Sequence, residues 1–263
     1  MINSNPIGLF DSGVGGTSIW RELIQLLPYE NTIYLADSKN APYGEKSKDE
    51  IIALSEKNTE FLLKNNSKII IVACNTATTN AIKYLRQKYD IPFIGIEPAI
   101  KPAALHTQTG NVGVLATKGT LSSELFDQTK GKFAQNINVI EQIGEGLVEL
   151  IETGQMKTAE MKDLLNQYLD PMLKKKIDHL ILGCTHYPYL IPLIKQIVPD
   201  SIKIIDSGEA VARQTFNILS QNQLLNSQKK SGYHQLFSNA NVEVLKHLLK
   251  DVKGDVSIKK LDF

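Results

Sequence analysis

Lys68-Ile69-Ile70-Ile71-Val72-Ala73-Cys74-Asn75-Thr76-Ala77-Thr78-Thr79 decides the fold class. Its unbroken β-branched run reads as a short strand buried on both faces, and the small and polar residues after it open a helical pattern. The same order recurs along the chain. Strands are predicted at about residues 7–10, 32–36, 68–73, 93–95, 112–116, 137–143, 180–183 and 203–205. Helices of period 3.6 are predicted at 19–27, 48–64, 80–88, 161–174 and 210–219, a short helix at 241–250 and a late strand at 256–261. Strand alternating with helix implies an α/β fold of parallel sheets covered by helices.

In such sheets a ligand sits beyond the carboxyl ends of the strands, so the residue that follows each apolar run carries the information. Those residues are Asp11, Asp37, Cys74, Glu97, Thr117, Cys184 and Asp206, and they include both cysteines of the chain. A faint internal repeat accompanies them. Asp11-Ser12-Gly13 returns as Asp206-Ser207-Gly208, and Cys74-Asn75-Thr76 is echoed by Cys184-Thr185-His186. Two similar lobes facing each other across one cleft would explain the pattern. The expected division is 1–97 plus 208–263 for the first lobe and 98–207 for the second, with 220–232 a polar surface linker.

At 263 residues the chain is long enough for two such lobes with real cores. Twenty-nine basic against 28 acidic side chains leave a net charge of +1, so no nucleic-acid partner is advertised. The run Lys174-Lys175-Lys176 reads as a solvated helix end. No stretch approaches the ~18 apolar residues of a membrane span. The opening Met1-Ile2-Asn3-Ser4-Asn5-Pro6 lacks the basic flank and apolar core of a signal peptide, so a cytoplasmic chain is expected. Two cysteines cannot build a disulfide framework and are expected to be thiols.

Each cysteine ends an apolar run where a strand turns toward a helix, near backbone N–H groups that favour an anion. One such cysteine alone would more readily be an inert core residue; a pair at matching positions, each beside a hydroxyl, points to chemistry. Other uses of cysteine fit poorly. A tyrosine-phosphatase loop needs Arg six positions on, where Asn80 and Leu190 stand, and no C-x-x-C pair is present. Cys74, Cys184, His186 and Asp11 could meet at a zinc, but no second close-spaced ligand pair supports one, and no metal is expected. A covalent hydrolase leaves the second thiol unexplained.

The loop Asp11-Ser12-Gly13-Val14-Gly15-Gly16-Thr17 lacks the Lys-Ser/Thr ending of a P-loop, and the third dinucleotide-fingerprint glycine would be Ser18. It reads instead as a cradle whose N–H groups close on a small carboxylate. Ala41-Pro42-Tyr43-Gly44 is either a simple turn or a loop that closes on ligand. His186 is either a helix cap or a partner of Cys184. His106, His179, His234 and His247 carry no motif.

These stretches together resemble the glutamate racemases. The resemblance rests on Leu9-Phe10-Asp11-Ser12-Gly13-Val14-Gly15-Gly16, Asp37, Pro42-Tyr43-Gly44, Ala73-Cys74-Asn75-Thr76-Ala77, Gly95-Ile96-Glu97-Pro98, Leu182-Gly183-Cys184-Thr185-His186-Tyr187-Pro188 and Ile205-Asp206-Ser207-Gly208. It implies a homodimer of two-lobed subunits that interconverts L- and D-glutamate without a cofactor, supplying D-glutamate for peptidoglycan. It also implies that Cys74 faces the hydrogen of the D-isomer and Cys184 that of the L-isomer. Asp11 and His186 would assist the two thiols. Asp11, Ser12, Pro42, Tyr43, Gly44, Asn75, Thr76, Thr117, Thr185 and His186 would hold the amino acid, with Asp37 and Glu152 as polar assistants. One departure is local: Gln142-Ile143-Gly144-Glu145-Gly146 stands where many relatives carry a cysteine-proline turn.

Two acid/base groups on opposite walls suit removal of a proton from one face of a carbon and delivery to the other. Two rival readings remain at this point: a racemase of aspartate or another amino acid, and a non-catalytic amino-acid-binding regulator that needs neither thiol.

Overall fold

The computed structural model describes residues 4–228 and 230–263; Met1, Ile2 and Asn3 of the opening stretch, and Lys229 of the expected linker, lie outside the described residues. β1 (Ile7–Asp11) leads through α1 (Thr17–Leu26) to β2 (Thr32–Ala36), followed by α2 (Lys48–Lys64), β3 (Ile69–Val72), α3 (Asn75–Lys88) and β4 (Phe93–Gly95). A second unit then runs α4 (Ile100–His106), β5 (Asn111–Ala116), α5 (Lys118–Leu121), α6 (Glu124–Phe133), β6 (Asn138–Ile143), α7 (Leu147–Glu152), α8 (Ala159–Lys174), β7 (His179–Gly183), α9 (Ile191–Ile194) and β8 (Lys203–Ile205). The chain returns with α10 (Gly208–Gln221), β9 (Tyr233–Ser238), α11 (Glu243–Leu248) and β10 (Asp255–Lys260).

Two sheets result, ordered β10-β9-β2-β1-β3-β4 and β6-β5-β7-β8, and the strands pair in parallel throughout. Both sheets are flanked by helices, the α/β arrangement that alternation predicts. We use "lobe" for each sheet with its helices. The apolar runs behave as doubly buried strands should. Ile69 and Ile71 enter one core while Ile70 and Val72 enter another, on the opposite face of the sheet. The core that holds Trp20 and Leu23 of α1 continues into Leu147, Leu165 and Leu190 of the second lobe, so the lobes pack on each other through apolar side chains. At about 25 cal/mol per Å² of apolar surface buried, such packing is the main force that holds the lobes together.

Strand register aims the chemistry. Asp11 stands opposite Ala36 and Phe10 opposite Val72, so Asp11, Asp37 and the segment carrying Cys74 leave the first sheet at one edge. Ala116 stands opposite Gly183, so Thr117 and Cys184 leave the second sheet side by side.

The structure departs from expectation in one strand. β9 lies at 233–238, just beyond the expected linker, and separates β2 from β10 in the first sheet. Helices α4, α6 and α7 were also unpredicted, and α3 starts at Asn75, five residues earlier than its apolar stripe suggests. In the stretch where many relatives carry a cysteine-proline turn, Gly146 takes a left-handed φ of 78° and begins α7, a conformation that costs glycine little. Among the described residues no helix is long and apolar enough to cross a membrane.

Candidate active site

Cys74 is the N-cap of α3, and its sulfur accepts from the Ala77 N–H at 3.4 Å and lies 3.6 Å from the Ser12 hydroxyl. Burial, with the negative charge of Asp11 adding to it, pushes this thiol well above its usual range, so it is a thiol at neutral pH. Cys184 differs from the sequence expectation. The chain beyond it enters a 3₁₀ turn, Tyr187–Leu190, in place of an α-helix, and its sulfur faces Nδ1 of His186 at 3.7 Å. Nε2 of His186 meets Oε1 of Glu152 at 2.6 Å. Burial alone would favour the neutral ring, yet Cys184 and Glu152 on its two sides hold the imidazolium well above the ordinary histidine range. Each thiol therefore has its own partner: a carboxylate near Cys74 and a cation beside Cys184.

The glycine-rich loop is a cradle, but the carboxylates it closes on belong to the protein. Asp11 accepts from the N–H groups of Ser12 (2.8 Å) and Gly16 (2.6 Å), and Glu152 accepts from that of Val14 (2.6 Å). Gly13 and Gly15 have no room for a side chain because these groups press directly on them. A Cβ at Gly13 would lie 1.9 Å from Oε1 of Glu152, and one at Gly15 would lie 2.3 Å from Nδ1 of His186. Burial raises the carboxyl of Asp11 while His186 and the loop amides oppose it. Glu152, from the second lobe, also accepts from Ser38 at 2.7 Å, so one carboxylate ties the first lobe to His186.

Between the two cysteines lies a narrow buried cleft, lined by Ser12, Pro42, Tyr43, Gly44, Cys74, Asn75, Thr76, Thr117, Val148, Cys184, Thr185 and His186. It continues past Pro42, Gly44, Thr117 and Val148 into a wider opening of about 260 Å³. Asn75 is only 3% exposed, and neither its amide nitrogen nor its amide oxygen has a hydrogen-bond partner within the protein. A buried unpaired amide costs roughly 1–3 kcal/mol, so it marks where a polar ligand is awaited. Thr76, Thr117 and Thr120 bring three hydroxyls within 2.8–3.3 Å of one another across the lobes.

The residues named from the sequence as holding the amino acid line this cleft except Asp11, which is fully buried with its carboxylate turned onto the Ser12 and Gly16 N–H groups. Asp37 does not line the cleft. It accepts from the Tyr43 hydroxyl (2.5 Å), from Asn40 (2.8 Å) and from Asn239, which fixes the loop that forms one wall. Glu97 and Asp206 stay outside, the first accepting from Thr129 and the second from the Gly208 N–H. Val148, Thr120 and Asn239 were missed. Thr117-Lys118-Gly119-Thr120 carries a legible capping signal, and Thr117 does accept from the Thr120 N–H at 3.3 Å. Nothing in the sequence links Asn239 to Asp37. Among the described residues, no group of three or more His, Cys, Asp or Glu side chains is arranged to hold a metal ion.

A family model for Asp/Glu/Hydantoin racemases matches residues 8–215, a span that contains both cysteine motifs and ends before β9. The chain belongs to this racemase family. Glutamate racemase of Herpetosiphon aurantiacus is 47% identical over 231 residues, covering 88% of this chain and 91% of that one. The crystal structure of Escherichia coli glutamate racemase in complex with L-glutamate and activator UDP-MurNAc-ala matches with a TM-score of 0.86 at 34% identity, covering 98% of each chain. That of the Francisella tularensis glutamate racemase in complex with D-glutamate gives 0.83 at 30% identity and 99% coverage of each. In both matches nearly the full length aligns, so the likeness takes in both sheets and their helices.

Proposed function

We propose that this chain interconverts L- and D-glutamate by carrying the α-proton between Cys184 and Cys74. The observation that carries the reading is one buried cleft with a thiol on each side, each thiol from a different lobe and each with its own charged neighbour. The relatives named glutamate racemase, and those bound to L- and to D-glutamate, support the choice of substrate.

Catalysis begins with Cys184 as thiolate facing the His186 cation and Cys74 as thiol. With L-glutamate, the Cys184 thiolate takes the α-proton and leaves the bonding pair on the α-carbon. The Cys74 thiol then delivers its proton to the opposite face, which yields D-glutamate and a Cys74 thiolate. The reverse reaction starts from that second form. An α-hydrogen beside a carboxylate is far less acidic than a thiol, so the site must stabilise the carbanion. Ser12, Asn75, Thr76 and Thr185 offer fixed donors to the substrate carboxylate in a cleft closed to bulk water. In this reading Asp37 and Glu152 act through Tyr43 and His186. D-glutamate formed in this way feeds peptidoglycan synthesis, and the chain works as a cytoplasmic homodimer with lobe boundaries near residues 97 and 207.

The test is exchange in deuterated water. Either isomer of glutamate acquires α-deuterium with wild-type protein, and Cys74→Ala or Cys184→Ala abolishes interconversion. Failure of exchange with both isomers rejects the enzyme, and interconversion that survives either replacement rejects the two-thiol mechanism. Faster turnover of aspartate than of glutamate would reassign the substrate.

A further inference from the structure

The turn that carries Cys184 and His186 is gripped from across the cleft by the start of α1. Ser18 donates its hydroxyl to the Thr185 carbonyl at 2.9 Å. One turn further on, the Tyr189 hydroxyl meets Oγ1 of Thr17 at 2.6 Å, although the two residues are 172 apart in sequence. Thr17 has one hydroxyl hydrogen, and it goes to the Val14 carbonyl at 2.5 Å, so Tyr189 must be the donor to Thr17. Burial pushes the Tyr189 phenol up to about 12, which keeps that proton in place at working pH.

These bonds close a circuit. Tyr189 donates to Thr17, Thr17 to the Val14 carbonyl, and the Val14 N–H to Glu152, which also holds His186. The Tyr189 N–H then returns to the His186 carbonyl at 3.2 Å. The circuit crosses between lobes twice and encloses the imidazole that faces Cys184. Among the described residues no equivalent reaches Cys74, which its own helix start and Ser12 position from within the first lobe.

We propose that Tyr189 is a positioning residue for proton transfer at Cys184, its hydroxyl fixing the 184–189 turn against Thr17 of the opposite lobe. The proposal rests on the two-thiol reading above. L- and D-glutamate are mirror images, so their equilibrium constant is one and any variant must lose kcat/KM equally in both directions. Loss of a single positioning hydrogen bond is expected to lower kcat/KM about fivefold, which corresponds to about 1 kcal/mol.

Isotope effects separate this from general damage. In Tyr189→Phe the transfer at Cys184 becomes the higher barrier. The deuterium isotope effect on kcat/KM therefore rises for α-deuterated L-glutamate, whose α-deuterium Cys184 removes. It falls for α-deuterated D-glutamate, whose α-deuterium is taken by Cys74 before the slow step. Thr17→Val reproduces that pattern, and Thr17→Ser, which keeps the hydroxyl, restores the wild-type pattern. Racemisation by the wild-type protein secures the underlying reading independently. Isotope effects that stay at wild-type values, shift equally or shift in the reverse sense overturn the proposal, as does unchanged kcat/KM in both variants.

Discussion

Gly15→Ala probes how tightly the first lobe sets His186. The new Cβ would lie 2.3 Å from Nδ1, 2.5 Å from Cγ and 2.6 Å from the backbone nitrogen of His186. Ordinary contact begins near 3.5 Å, so about 1 Å must be found. The ring cannot yield alone, since Glu152 holds Nε2 at 2.6 Å and the backbone nitrogen is struck as well. Nor can the loop retreat freely, because Gly16 is backed by the Ala73 carbonyl and Gly13 by Glu152. The expected result is an overpacked interface that loses about 1–3 kcal/mol of stability. His186 would be displaced from Cys184, and a misplacement of ~1 Å lowers kcat/KM by about 100-fold. Steady-state racemisation, followed by circular dichroism with each isomer, measures the second effect, and urea denaturation the first. An alanine variant within threefold of wild type in kcat/KM would refute the view that this loop fixes the histidine.

Two further predictions concern charge and helix. The raised His186 contributes stability that is complete below its unfolded pKa of ~6.5 and is lost as pH rises through its higher folded value. Glu152→Gln removes one of the two groups that raise it, so stability from urea denaturation should fall less steeply between about pH 7 and 9 than in wild type. Equal slopes everywhere above the unfolded value of ~6.5 would mean that Glu152 does not hold the imidazolium. Gly131, inside α6, has nothing within 4 Å of where a Cβ would stand, so Gly131→Ala should stabilise by about 0.5–1 kcal/mol and leave racemisation unchanged. A lower melting temperature would contradict this.

Strands with doubly apolar runs were legible because sandwiching a sheet between helices leaves few polar positions. β9 was not legible. Its inward residues are His234, Leu236 and Ser238, while Phe237 is only half-buried, so the hydropathy pattern runs against the burial. The buried His234 is accommodated by Thr32 at 3.0 Å and by the edge of Trp20, contacts that only the folded sheet creates. α6 escaped for a similar reason: it buries only Phe126 and shows no stripe. In the site, Cys74, Asn75, Thr76, Cys184, Thr185 and His186 could be read as a set because register brings strand ends together. The partners of Asp37 and Glu152 could not, since Asn239 and Val14 reach them from distant parts of the chain. The glycine loop was read as a cradle for a small carboxylate ligand, whereas in the fold its N–H groups close on Asp11 and Glu152.

The placement of β9 against β2 has a consequence for biosynthesis. Gly95 ends β4, and Tyr233 begins the strand that must pair with β2, with the whole second lobe between them. At ribosomal speeds of roughly 5–20 residues per second, β2 waits roughly 10–40 s with an open backbone edge. During that interval the nascent first sheet is a target for chaperones and for mispairing with other chains. Asp37 likewise gains Asn239 only at the end, so the wall around Tyr43 is set after both thiols have left the ribosome.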